Sequence, residues 1–165
     1  MANNDSDIRI ERALFDDIED IVTILDTRCK WLLSKNIDQW GPEYANRYNK
    51  EYFLQKMRAG DKCFLAKRKE DIVGTMMLEK FSPYFCDDVY DSFYVRHLAS
   101  LYPGAGKALL DYACVYGKIK GKERVCGNCS SKNKKLVQYY LDYGFSIVGE
   151  GVNGDYSFFL LSKEI

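Results

Sequence analysis

Histidine is almost missing from this chain: His97 is the one copy in 165 residues. A structural zinc site of the Cys/His kind therefore lacks its nitrogen ligands. Cys126-Gly127-Asn128-Cys129 is a lone CxxC, with no second pair to complete an all-cysteine set. Positions three apart in a strand face opposite sides, so these two thiols cannot join each other. No metal is expected. Proline is scarce too, and Pro42, Pro83 and Pro103 all fall between periodic segments, where they break nothing. Net charge is absent, since 24 Lys plus Arg balance 24 Asp plus Glu. That argues against a surface that grips nucleic acid or anionic membrane as a whole. Long apolar runs are also lacking. Stretches such as Phe158 to Leu161 fall far short of the roughly 20 residues of a bilayer span. The start, MANNDSDIRIER, is polar and acidic and carries none of the basic and apolar regions of a signal peptide. The expectation is a soluble cytoplasmic protein with reduced thiols, no membrane partner and no nucleic-acid partner.

What is present is an ordinary globular mixture, 47% hydrophobic and 29% charged, which excludes a disordered chain. The length suits one domain, spanning about residues 7–163, with a core that needs no staple. Residues 7–12 alternate apolar and charged, predicting a short strand. From Leu14 the period becomes helical: Leu14, Ile18, Ile21, Val22, Leu25, Cys29 and Leu32 share a face, ending near Ser34. A loop over residues 36–42 leads to a helix expected over 44–58, stopped by Gly60. Strands are predicted at 62–68, 72–81 and 92–100, with a hairpin turn at Lys69-Glu70-Asp71. A helix follows with Leu109, Leu110, Ala113, Tyr116 and Ile119 on one face. Then come a strand at 123–129, a helix at 133–143 closed by Gly144, and two final strands. The order β-α-α-β-β-β-α-β-α-β-β predicts an α/β fold with a mixed sheet.

Two segments carry chemistry. In Gly104-Ala105-Gly106-Lys107 the glycines let backbone approach an anion closely. The helix that follows offers free N–H groups and a partial positive charge, suited to a pyrophosphate, and Lys107 adds a full charge. A nucleotide-triphosphate loop is excluded, because Ala108 stands where the magnesium-binding Ser or Thr belongs. The second segment runs from Asn133, an N-cap residue, through Tyr140 to Gly144-Phe145.

Taken together and in this order, Leu98-Ala99-Ser100, the glycine loop and the Asn133…Tyr140…Gly144-Phe145 helix resemble the GNAT (GCN5-related N-acetyltransferase) superfamily. The resemblance implies a single-domain, mixed and splayed β-sheet with helices on both faces. It implies acetyl-coenzyme A as cosubstrate, lying where the central strands part. Cofactor contacts would come from Leu98, Ala99, Ser100, Gly104, Ala105, Gly106, Lys107, Asn133 and Lys135. Tyr140 would protonate the leaving thiolate. The acceptor would be a small-molecule or peptide amine, attacked directly in a ternary complex, and a homodimer is common in the family. The chain departs from the family pattern at Leu101, which stands where the loop usually has Arg or Gln, and the loop is about four residues shorter.

The general base is the least defined role. His97 is one candidate; Glu79, Asp87, Asp88, Asp91 and Glu150 are others. Trp31, Trp40 and Tyr44 are candidates for an acceptor pocket, the remaining aromatics of that region being core. The lysines of residues 118–135 read as a solvated surface, with Lys107, Lys134 and Lys135 also candidates for the 3′-phosphate of coenzyme A. The expected activity is N-acetyl transfer to a primary amine; the alternative is a coenzyme A-binding sensor or interaction module without turnover.

Overall fold

The computed structural model describes residues 7–37, 39–80 and 91–165. Pro83, Cys86, Asp87 and Asp88 lie outside the described residues. The elements follow the order expected from periodicity: β1 (Ile8–Arg12), α1 (Ile18–Ser34), α2 (Tyr44–Arg47), α3 (Lys50–Arg58), β2 (Lys62–Arg68), β3 (Asp71–Glu79), β4 (Ser92–Ser100), α4 (Ala105–Ile119), β5 (Arg124–Ser130), α5 (Lys134–Tyr143), β6 (Ser146–Asn153) and β7 (Tyr156–Glu164). The strands form one seven-stranded sheet in the order β1-β2-β3-β4-β5-β7-β6. Every neighbouring pair is antiparallel except β4 with β5.

The alternation of β2 shows how both faces are covered. Phe64 and Ala66 join the core under α4 and α5, with Leu109, Leu110 and Ala113. Cys63 and Leu65 join the core under α1 to α3, with Ile21, Leu25 and Phe53. Helix α1 packs because Ile18, Ile21, Ile24, Leu25, Cys29 and Leu32 recur at helical spacing and are all buried. Among the described residues no helix is long and apolar enough to cross a membrane.

Three local expectations change. The helix expected over 44–58 is two helices, because Asn49 is extended and its side chain accepts from Tyr52 N–H at 3.1 Å. An asparagine that caps a new helix ends the one before it. Leu14 is 67% exposed and precedes α1, where its N–H donates to Asp17 Oδ2 at 2.7 Å. Ile119, expected on the buried face of α4, is 74% exposed. Cys126 and Cys129 do lie on opposite faces: Cys129 is in the core below α5, and Cys126 donates to Ser162 Oγ.

Two irregularities in β4 shape the site. The parallel ladder with β5 covers only Ser92–Tyr94 against Arg124–Cys126, so beyond Tyr94 the two strands diverge. Against β3, Thr75 pairs with Ala99 and Met77 with Arg96, so β4 carries one extra residue there. His97 absorbs it with a φ of 53°. Such a left-handed conformation costs a non-glycine residue about 1–2 kcal/mol.

Candidate functional site

The bulge decides which way His97 points. Simple alternation from Phe93 and Val95 would aim it at α4. The extra residue turns it to the other face, where it is 6% exposed among Tyr44, Tyr48, Tyr52 and Phe53. Its Nδ1 is hydrogen-bonded to Tyr44 Oη, and its Nε2 to Tyr52 Oη at 3.0 Å. A neutral imidazole has one donor and one acceptor nitrogen, so one tyrosine donates and the other accepts. Burial, then the positive charges of Arg96 and Lys56, hold the His97 pKa well below 6.5. The candidate base is therefore neutral, with both nitrogens engaged.

The aromatic candidates divide. Tyr44 is buried, its hydroxyl turned inward to His97 and its ring stacked on Trp40 at 4.2 Å. Trp31 is 44% exposed, one face covered by the Arg28 guanidinium at 4.7 Å. Of the carboxylate candidates, Glu79 is 2% exposed and paired with Lys56 at 2.8 Å and Arg96 at 3.3 Å. Asp91 pairs with Lys122. Glu150 is an exposed residue of β6.

Across the gap from β4, the edge of β5 continues through Asn128 and Ser130. Asn128 donates to Tyr94 Oη and accepts from Tyr156 Oη at 3.3 Å. Tyr140 approaches the same region from α5. Its ring is half-buried, packed edge-on against Tyr139 and Phe145. Burial, followed by the neighbouring Cys129, Tyr139, Tyr156 and Tyr94, lifts its pKa far above the ordinary phenol value. It stays protonated at any physiological pH. Its hydroxyl makes no hydrogen bond with any described residue. Asn133 caps α5, accepting from Leu136 N–H at 3.2 Å, and Gly144 closes it with a φ of 114°. Lys135 is exposed on its first turn.

The open end of the gap meets the glycine loop. Leu98 is half-buried against the α4 core, Ala99 is buried on the α1 side, and Ser100 ends the strand. Gly104 caps α4 in the left-handed region, φ 89°, a conformation that suits glycine alone at little cost. Ala105 is fully buried and anchors the helix start. A Cβ on Gly106 would lie 3.4 Å from Tyr139 Oη and 3.6 Å from Ser100 Cβ, so the backbone there is closely approached on one side. Ala105 N–H bonds back to Tyr102 O and Ala108 N–H to Gly104 O. Gly106 and Lys107 stand in the first turn of α4, whose N–H groups have no acceptor one turn back within the helix. The Lys107 ammonium is paired with Asp111 at 2.8 Å, one turn on.

Two polar contacts across the gap had no counterpart in the sequence reading. Leu101 N–H donates to Val73 O at 2.8 Å. By the alternation of an antiparallel ladder, the N–H and C=O of Ser100 then point away from β3, into the gap. Arg28 Nη2 donates to that Ser100 carbonyl. On the opposite edge, Ser130 N–H donates to Gln39 Oε1 at 3.1 Å. The signal for Arg28 was its place on an otherwise apolar helix face. Gln39 left none. Among the described residues no cluster of His, Cys, Asp and Glu could hold a metal ion.

No protein-family profile matches the sequence, and no curated protein matches it. Solved structures do. A GNAT-family acetyltransferase from Listeria monocytogenes superposes with a TM-score of 0.77 at 20% identity, over 96% of this chain and 95% of that one. The PaiA N-acetyltransferase from Thermoplasma acidophilum, in complex with coenzyme A, gives 0.75 at 19% identity, over 96% and 99%. A ribosomal-protein-alanine N-acetyltransferase from Brucella melitensis gives 0.70 at 16%, over 95% and 99%. The fold of this chain is the GNAT acetyltransferase fold.

Proposed function

We propose that this chain is an acetyl-coenzyme A-dependent N-acetyltransferase acting on a primary amine. The observation that carries this reading is the gap between β4 and β5. It runs from the bulge at His97 to the glycine loop, with a protonated tyrosine beside it. The residues present suit the cofactor: the first turn of α4, whose N–H groups have no acceptor within the helix, a glycine at position 106, and strand edges that part beyond Tyr94. Bound there, coenzyme A supplies an activated acyl thioester.

The chain's own groups then have distinct tasks. The α4 N-terminus with Gly104, Ala105 and Gly106 holds the pyrophosphate by backbone and helix charge. Lys107 contributes only after loosening from Asp111, and no loop arginine assists it, Leu101 being in that place. Backbone of Leu98 to Ser100 orients the acyl arm. Tyr140 Oη donates its proton to the departing sulfur. His97 enters through its tyrosines: it fixes Tyr44 and Tyr52, and a proton reaches it only by way of one of their hydroxyls. The bound state is a ternary complex with direct attack by the amine, and the acceptor enters past α1 and the loop after it.

One observation favours the second reading, cofactor binding without turnover. The buried acid of this face, Glu79, is already paired, and His97 is a poor base. Calorimetric titration with acetyl-coenzyme A, with ADP as control, tests the cofactor site. Release of free thiol in the presence of amines then separates the two readings. Binding no stronger than ADP would overturn both.

A further inference from the structure

Arg28 is the polar exception on the inner face of α1. Its neighbours there, Ile21, Ile24, Leu25, Cys29 and Leu32, are all buried. Arg28 itself is half-buried, and among the described residues its guanidinium meets the Ser100 carbonyl and the Trp31 ring. One carbonyl occupies one of the five donors that a guanidinium presents. No carboxylate among the described residues pairs with it, and burial works against its charge. The one buried acid among the described residues, Glu79, is held by Lys56 and Arg96. A half-buried cation at the mouth of a gap, with no carboxylate among the described residues on its remaining donors, is matched to an anion that arrives with a ligand.

Two anions could arrive: a carboxylate on the acceptor or a phosphate of the cofactor. Ser100 stands beside the glycine loop, its Cβ 3.6 Å from where a Cβ on Gly106 would lie, so nearness does not choose between them; the face of approach does. The glycine loop leads into α4, which packs on the opposite face of the sheet. Arg28 rises from the α1 face, beside the exposed Trp31. Among the described residues that face also has no unpaired buried carboxylate with which to attract a second ammonium group.

We propose that Arg28 binds a carboxylate on the acceptor, so that the acceptor is an amino acid rather than a simple or polycationic amine. The proposal rests on the acetyl-transfer reading above. Arg28 exchanges its contact with Ser100 for a two-point ion pair, and Trp31 lines the side chain of the acceptor. Transfer then forms the bond from amine nitrogen to acyl carbon and breaks the bond from carbon to sulfur. The amine gives up a proton and the sulfur gains one.

The test uses amines matched by decarboxylation: lysine against cadaverine, and phenylalanine against phenethylamine, each with acetyl-coenzyme A and thiol release as readout. The acids should react with the higher kcat/KM. Arg28→Gln keeps a donor for Ser100 and removes the charge. It should lower kcat/KM for the acids by about 10- to 100-fold, with the decarboxylated amines and the KM for acetyl-coenzyme A unchanged. Arg28→Lys should fall between. No preference for acids in the unaltered protein overturns the proposal. So does a raised KM for acetyl-coenzyme A in Arg28→Gln, which would put Arg28 on the phosphates.

A second arm needs no turnover. Tryptophan fluorescence is titrated with N-acetylphenylalanine and with N-acetylphenethylamine. A response to the acid alone, lost in Arg28→Gln and partly kept in Arg28→Lys, sustains the proposal; no response overturns it. Calorimetry with acetyl-coenzyme A reports on the transferase reading separately. A protein that binds the acid but not the cofactor keeps the Arg28 site and loses the proposed reaction.

Discussion

Tyr52 Oη lies 3.0 Å from Nε2 of His97, while Tyr44 takes the other ring nitrogen. Burial and two nearby cations lower the His97 pKa well below 6.5. In the unfolded chain this histidine gains a proton below about pH 6.5; in the folded one it does not. Its contribution to stability is therefore complete above that pH and is lost as pH falls. Thermal melts from about pH 8 down to pH 5 should show a falling Tm below 6.5. His97→Asn, which tolerates the left-handed backbone, should flatten that part of the curve. A turnover profile with an inflection near 6.5 that disappears in His97→Asn would contradict the neutral, tyrosine-held imidazole.

Tyr140→Phe removes a hydroxyl that supports no other described residue, so the fold should be unaffected. We expect acetyl-coenzyme A to bind as before and the chemical step to slow by about 10- to 1000-fold, the range of general acid catalysis. Single-turnover measurement at saturating cofactor reads that step directly. An unchanged rate would take Tyr140 out of the mechanism.

A Cβ on Gly106 would meet the Tyr139 hydroxyl at 3.4 Å. Gly106→Glu places bulk there and a negative charge at the start of α4. Calorimetry should show no acetyl-coenzyme A binding, with circular dichroism unchanged. Normal binding would mean that the glycine loop does not hold the cofactor.

Glu79 joins α3 to β4 through Lys56 and Arg96. Glu79→Gln leaves two half-buried cations without their shared carboxylate, although Asp61 still accompanies Lys56 at 3.0 Å. The loss should be about 3 kcal/mol, at the low end for breaking a buried pair. Denaturant unfolding would measure it, and a loss within a few tenths of a kcal/mol would show that the network is cosmetic.

The parts of this protein that the sequence revealed are those set by near neighbours. The apolar spacing of α1, the Asn133 cap and the Gly144 stop depend on residues within one or two turns, and all stand where expected. Asn49 caps α3 by an equally local contact, yet the helix expected over 44–58 runs through it. The orientation of His97 was not legible, since a bulge alters the face of a strand without marking the sequence. Nor were the two contacts across the gap. Arg28 meets Ser100 at a separation of 72 residues, and Gln39 meets Ser130 at 91. Only the closed sheet brings them together.

The divergence of β4 from β5 has one more consequence. It creates two free strand edges in the middle of a sheet rather than at its rim. A free edge is a template for any extended chain, including a second copy of the same one. Here each edge is blunted from the same side: a guanidinium covers the carbonyl of Ser100, and an amide oxygen covers the N–H of Ser130. Both caps are single side-chain contacts, so they yield to a ligand that offers better partners. They still deny an intruding strand its first hydrogen bond on either side. Any ligand that enters the gap must displace the same two side chains that meet an intruding strand first.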